Sequence, residues 1–94
     1  MLISPDEINK TISNQNWSYK NNRISKYFEF ESYIEGINFV NEIAKIAEQR
    51  NHHPDINISW CKVEISITSH DLGGVTTKCL NFATTVDSLS IKLL

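Results

Sequence analysis

The apolar positions of this chain change period several times, and each change marks a boundary. Between Ser32 and about Arg50, Tyr33, Ile37, Val40, Ala44 and Ala47 recur at spacings of three and four, with Ile43 and Ile46 widening the stripe. This 3.6-residue period predicts an amphipathic helix of about five turns. The period then drops to two. Ile56, Ile58 and Trp60 alternate with Asn57 and Ser59, and Val63, Ile65 and Ile67 alternate with Glu64, Ser66 and Thr68, which predicts two strands. The parity of the apolar set changes between Trp60 and Val63, so a turn or bulge belongs there. Upstream, "WSYK" and "RISKYFEF" flank Asn21-Asn22. Asparagine tolerates positive φ, so this reads as two strands joined by a tight hairpin. Ser4, Pro5 and Glu7 have the order of an N-cap, a first helical residue and a third-position acid, predicting a short helix over about residues 5–14 with Ile8 and Ile12 inward. Gly73-Gly74 breaks the chain, Thr76 can cap, and Phe82, Ala83, Val86, Leu89 and Leu93 form a closing helical stripe. The order is α-β-β-α-β-β-α. Strands joined by short turns, with helices interspersed, predict an α+β fold in which helices cover one face of an antiparallel sheet.

Composition narrows this to one domain spanning residues 1–94, without linker, repeat or low-complexity tract. A chain of this size buries something over ~60% of its unfolded surface, enough for a two-layer core. Nine Lys+Arg against eleven Asp+Glu give a net charge of −2 with no basic stripe, which argues against direct nucleic-acid binding. The apolar runs fall far short of the ~20 residues that cross a bilayer, and "MLISPDEINK" lacks the regions of a signal peptide. Cys61 and Cys79 have neither CxxC spacing nor the density of a disulfide scaffold. The expectation is a cytoplasmic protein without membrane association.

Three histidines carry the candidate chemistry. Two are adjacent, in "RNHHPDINISW" at the junction of helix and strand, and His70 ends the next apolar run. A solvated helix terminus would account for His52 and His53, and a polar strand end for His70. Against that, sequence neighbours point in different directions, so both need tasks, and the glycine pair after His70 lets the backbone turn sharply. Imidazoles suit proton transfer near neutral pH. Three histidines can also hold a catalytic zinc. Adjacent histidines rarely point at one ion, however, and no Cys or carboxylate stands beside them at metal-motif spacing.

The stretch "EQRNHHPDINISWCKVEISITSHDLGGVT" resembles the signature of the pterin-4a-carbinolamine dehydratases: a Glu, His-His-Pro, an aromatic residue, an alternating strand, (Thr or Ser)-His and a glycine turn. The likeness extends from about Trp17 to "NFATTVDSL". It implies a sheet of four antiparallel strands with helices on one side, assembled as a homodimer or homotetramer. It also implies dehydration of 4a-hydroxytetrahydropterin, the product left by aromatic amino acid hydroxylases, to quinonoid dihydropterin. His52, His53 and His70 match the family's three active-site histidines, with the division of roles open. Glu48 matches the family's Glu one turn before the pair, and Pro54 and Ser69 fall within the matched substrate-binding motif. No metal or organic cofactor is implied, because the pterin is the substrate.

Nine residues after His70 the family usually has Asp near the start of the last helix, whereas this chain has Cys79. One reading is the loss of a helix-terminal charge, worth a few tenths to ~1 kcal/mol. The other is that the Asp holds the pterin or a histidine, a task that a thiolate in the first helical turn could partly take over. Resemblance also supplies an alternative of another class. Members of the family act as dimerisation partners of a transcription factor, and relatives with degraded sites serve as assembly factors. The retained histidines weigh toward the enzyme.

Overall fold

The computed structural model describes the backbone of residues 1–93 and the side chains of residues 1–91. Ser4 caps α1 (Pro5–Ile12), its hydroxyl accepting from the Glu7 amide, and Ile8 and Ile12 are buried as their spacing predicts. The helix stops two residues short of the expected end. β1 (Ser18–Lys20) and β2 (Arg23–Glu29) are joined through Asn21 and Asn22, at φ 54° and 63°. Two successive left-handed residues give the turn whose twist matches paired antiparallel strands. β3 (Asp55–Ser59) and β4 (Lys62–Ile67) pair with Ser59 opposite Lys62, so the parity change is a two-residue turn at Trp60-Cys61. The antiparallel sheet has the order β1-β2-β4-β3.

Ile24 and Phe28 of β2 and Val63, Ile65 and Ile67 of β4 are buried on one face of the sheet. The long helices α2 (Tyr33–Arg50) and α3 (Thr77–Leu93) contribute Phe39, Ile43, Ala47, Phe82, Ala83 and Val86 to the same core. The α+β architecture and the α-β-β-α-β-β-α order are as the sequence predicts. Ser32 caps α2, accepting from the Glu35 amide while donating to Glu35 Oε1 at 2.9 Å. α3 is tied to the sheet by Asp87, which receives Trp17 Nε1 at 2.9 Å and Lys26 Nζ at 2.7 Å.

The inward stripe of α2 differs from the one expected. Gly36, Phe39, Ile43 and Ala47 are buried, whereas Tyr33 and Ala44 are exposed. Apolar residues occupy much of this helix's circumference, so spacing alone left its rotation open. The aromatic ring decides it: Phe39 stands between Phe28 and Phe30, with centroids 5.0 and 5.1 Å away. Gly36 allows the close approach, since a Cβ there would stand 3.3 Å from Val63 Cγ2. Trp60, grouped by alternation with the strand, is in the turn and 79% exposed. Thr76 stands before α3, but its hydroxyl faces Ser69 Oγ at 2.7 Å rather than a helix amide. The Leu93 side chain lies outside the described residues.

Candidate active site

The chain must leave α2 abruptly to reach β3, and Asn51 makes this possible. It adopts a left-handed conformation at φ 49°, and the His52 amide closes back onto the Ala47 carbonyl at 3.0 Å. This is the hydrogen-bonded closure that ends many helices. Proline disfavours helical backbone at the residue before it, so Pro54 holds His53 extended and starts the strand. The two adjacent imidazoles are thereby sent apart. His52 turns toward α3, its ring centroid 5.9 Å from that of Phe82. His53 folds back on α2, with Nε2 2.5 Å from Glu48 Oε2.

His70 comes from the loop after β4. Ser69 and Gly74 form an isolated bridge, the Gly73 amide donates to the Ser69 carbonyl at 2.8 Å, and Gly73 has φ 70°, where a side chain would be strained. The glycine thus lets the loop double back at Ser69–Gly74. His52, His53, His70 and Ser69 all line one cavity of about 670 Å³. Asn51, Asp71, Leu72, Thr77 and Lys78 line it too. None of these five was singled out from the sequence. Lys78 carried a legible signal, since a lysine in the first turn of a helix opposes the macrodipole.

Glu48, Pro54 and Cys79 are not among the lining residues; each acts behind one that is. Glu48 fixes the His53 ring. Cys79, fully buried, has its sulfur 3.4 Å from His52 Nε2 and 3.4 Å from Ser69 Oγ. Thr76 Oγ1 lies 3.7 Å from the same sulfur, so three polar groups surround the position where the Asp was expected. Burial lowers the pKa of His52 below its ordinary 6.5, helped by the nearby Lys78 and His70 charges, so this imidazole is neutral at neutral pH. Among the described residues no group of three or more His, Cys, Asp or Glu is placed to hold a metal ion. No described helix is long and apolar enough to cross a membrane.

Fold and cavity together define a small α+β protein with a cavity lined by three imidazoles. The chain belongs to the family described as Pterin 4 alpha carbinolamine dehydratase, whose model matches residues 1–89. A relative from Picosynechococcus sp. is 47% identical over 73 residues, covering 78% of this chain and 79% of the relative. One from Thermosynechococcus vestitus is 36% identical over 90 residues, 95% of each. Both bear the name pterin-4-alpha-carbinolamine dehydratase as a provisional assignment. A crystal structure of a transcriptional coactivator/pterin dehydratase from Brucella melitensis superposes with a TM-score of 0.90 at 20% identity, covering 96% of this chain and 99% of that one, a likeness of fold. A pterin dehydratase-like protein identified as a RuBisCO assembly factor in the alpha-carboxysome superposes with a TM-score of 0.66 at 28% identity, over 79% of this chain and 86% of that one.

Proposed function

We propose that the protein dehydrates a 4a-hydroxytetrahydropterin to quinonoid dihydropterin and water, using its histidines as acid and base and no cofactor. The observation that carries this reading is the convergence of His52, His53 and His70 on one cavity from two separate chain segments. The reaction needs one proton delivered to the 4a hydroxyl as the C4a–O bond breaks. It needs another removed from N5, whose N–H electron pair becomes the C4a=N5 double bond. Near-neutral imidazoles suit both tasks.

The geometry supports a division of labour. A carboxylate only accepts, so Glu48 holds His53 as the tautomer that donates through Nε2 and leaves Nδ1 free to take the N5 proton. His70, contributed to the same cavity by the loop after β4, is the partner that protonates the leaving hydroxyl. His52, kept neutral, hydrogen-bonds the hydroxyl without competing for that proton. The test is the decay of freshly generated 4a-hydroxytetrahydropterin. The protein accelerates it, and His70→Ala removes ~10²-fold or more of the rate. Wild-type protein no faster than buffer refutes the proposal.

A second reading, an interaction or assembly protein, draws support from the likeness to the assembly factor and from exposed apolar groups near the β3 edge. Ile58 is 39% and Trp60 79% exposed. We assign that surface to a second copy of this chain, because β3 is an unpaired sheet edge and such edges invite pairing. The same dehydration assay separates the readings, since an interaction protein has no use for a histidine-dependent rate.

A further inference from the structure

A second cleft of about 430 Å³ adjoins the candidate active site, lined by Arg50, His52, Lys78, Asn81 and Thr85. His52 and Lys78 line both cavities, so one wall is common. Its other groups converge from two helices. Arg50 ends α2; Lys78, Asn81 and Thr85 follow one another at spacings of three and four along α3 and so share a face. The Arg50 guanidinium has two neighbours on α3. It donates to Thr85 Oγ1 at 2.9 Å and lies 5.8 Å from the Phe82 ring centroid.

The charges here are one-sided. The cleft has no acidic wall, and among the described residues neither Arg50 nor Lys78 takes part in an ion pair. A lysine in the first turn of a helix is also placed against the macrodipole, which favours anions there. The Thr85 hydroxyl donates to the Asn81 carbonyl at 3.2 Å while accepting from Arg50, so the donors left to an anion are the two unneutralised cations and the Asn81 side-chain amide.

We infer that this cleft is an anion subsite that receives a carboxylate or phosphate on the side chain of the pterin, so the preferred substrate is an acidic pterin rather than a neutral one. The ring occupies the histidine cavity and its charged tail passes the shared wall formed by His52 and Lys78. This assignment of the ring rests on the dehydratase reading; the anion site itself does not. A purely structural role for Arg50, tying α2 to α3 through Thr85, predicts a stability loss on its replacement and no change in ligand preference.

The test measures pterin binding by fluorescence quenching at low salt, with 7,8-dihydrobiopterin as the neutral ligand, dihydroneopterin monophosphate as the phosphate and pterin-6-carboxylate as the carboxylate. We expect at least one acidic pterin to bind about tenfold tighter than the neutral one. Arg50→Gln should bring that ligand to within about twofold of the neutral pterin, whose own affinity is unchanged, while Arg50→Lys, which keeps the charge but not the guanidinium fork, keeps only part of the advantage. Asn81→Asp, an exposed change that endangers no core packing, should abolish the advantage by placing a negative charge in the cleft. Whichever acidic ligand gains identifies the tail. In parallel, inorganic phosphate alone should shift the amide resonances of Asn81 and Thr85 saturably in wild type and not in Arg50→Gln. Equal binding of all three pterins, or an advantage that survives both Arg50→Gln and Asn81→Asp, overturns the inference. If no pterin binds, the dehydratase reading falls, and the phosphate titration decides the subsite by itself: an Arg50-dependent shift upholds it and no shift overturns it.

Discussion

Replacing Glu48 by Gln isolates orientation from structure. The carboxylate stands 2.5 Å from His53 Nε2, yet the two side chains are 76% and 52% exposed. An exposed pair of this kind contributes ~0–1 kcal/mol to folding, so Glu48→Gln should unfold within about 1 kcal/mol of wild type. Catalysis should suffer more. The Gln side chain can present its amide donors to Nε2 as readily as its oxygen, which removes the preference for the tautomer with Nδ1 free. If His53 is the base, losing its orientation should lower kcat/KM by ~10²-fold, about 2.7 kcal/mol of transition-state stabilisation. The assay is the decay of the 4a-carbinolamine with wild type, Glu48→Gln, His53→Ala and the double variant, alongside urea unfolding of each. Because Glu48 acts only through His53, Glu48→Gln should cost nothing further in the His53→Ala background. A Glu48→Gln variant within about threefold of wild type, or losses that multiply in the double variant, would refute the positioning role.

Other outcomes follow from the same geometry. Cys79→Asp puts a carboxylate where Ser69, Thr76 and His52 converge, so the His52 pKa should move upward relative to wild type; an unchanged ring titration by NMR would show that the new group does not reach Nε2. With the folded-state pKa of His52 below its ordinary 6.5, the unfolded chain takes up the proton first, so His52 lowers stability as pH falls from about 6.5 through the folded pKa. The unfolding free energy of wild type should therefore fall more than that of His52→Gln between pH 7.5 and pH 5.5, and parallel losses would contradict this. Trp60→Glu should weaken self-association in sedimentation, and a concentration-independent 10.8 kDa wild-type monomer would remove the β3-edge assembly.

Features that depend on neighbours along the chain were legible from residue order alone. The order of elements follows from apolar period, the Asn21-Asn22 hairpin from tolerance of positive φ, and the starts of α1 and α2 from Ser4 and Ser32 reaching amides three residues on. The histidine motif was legible for the same reason, since Asn51 to Pro54 are consecutive residues between the end of α2 and the start of β3. Tertiary structure decided the rest. It set the strand order β1-β2-β4-β3 and the rotation of α2 that buries Phe39 and exposes Tyr33. It left Ile58 exposed near the end of an edge strand, although it pairs with buried Val63, and Trp60 exposed in the turn that follows. It also placed Cys79 against His52, 27 residues away in sequence, and Arg50 against Thr85, 35 away. Periodicity specifies that a helix has an apolar stripe, but which stripe meets the sheet depends on the shapes it meets there. Only that docking of α2 and α3 converts separate polar residues into a pocket wall and a basic cleft.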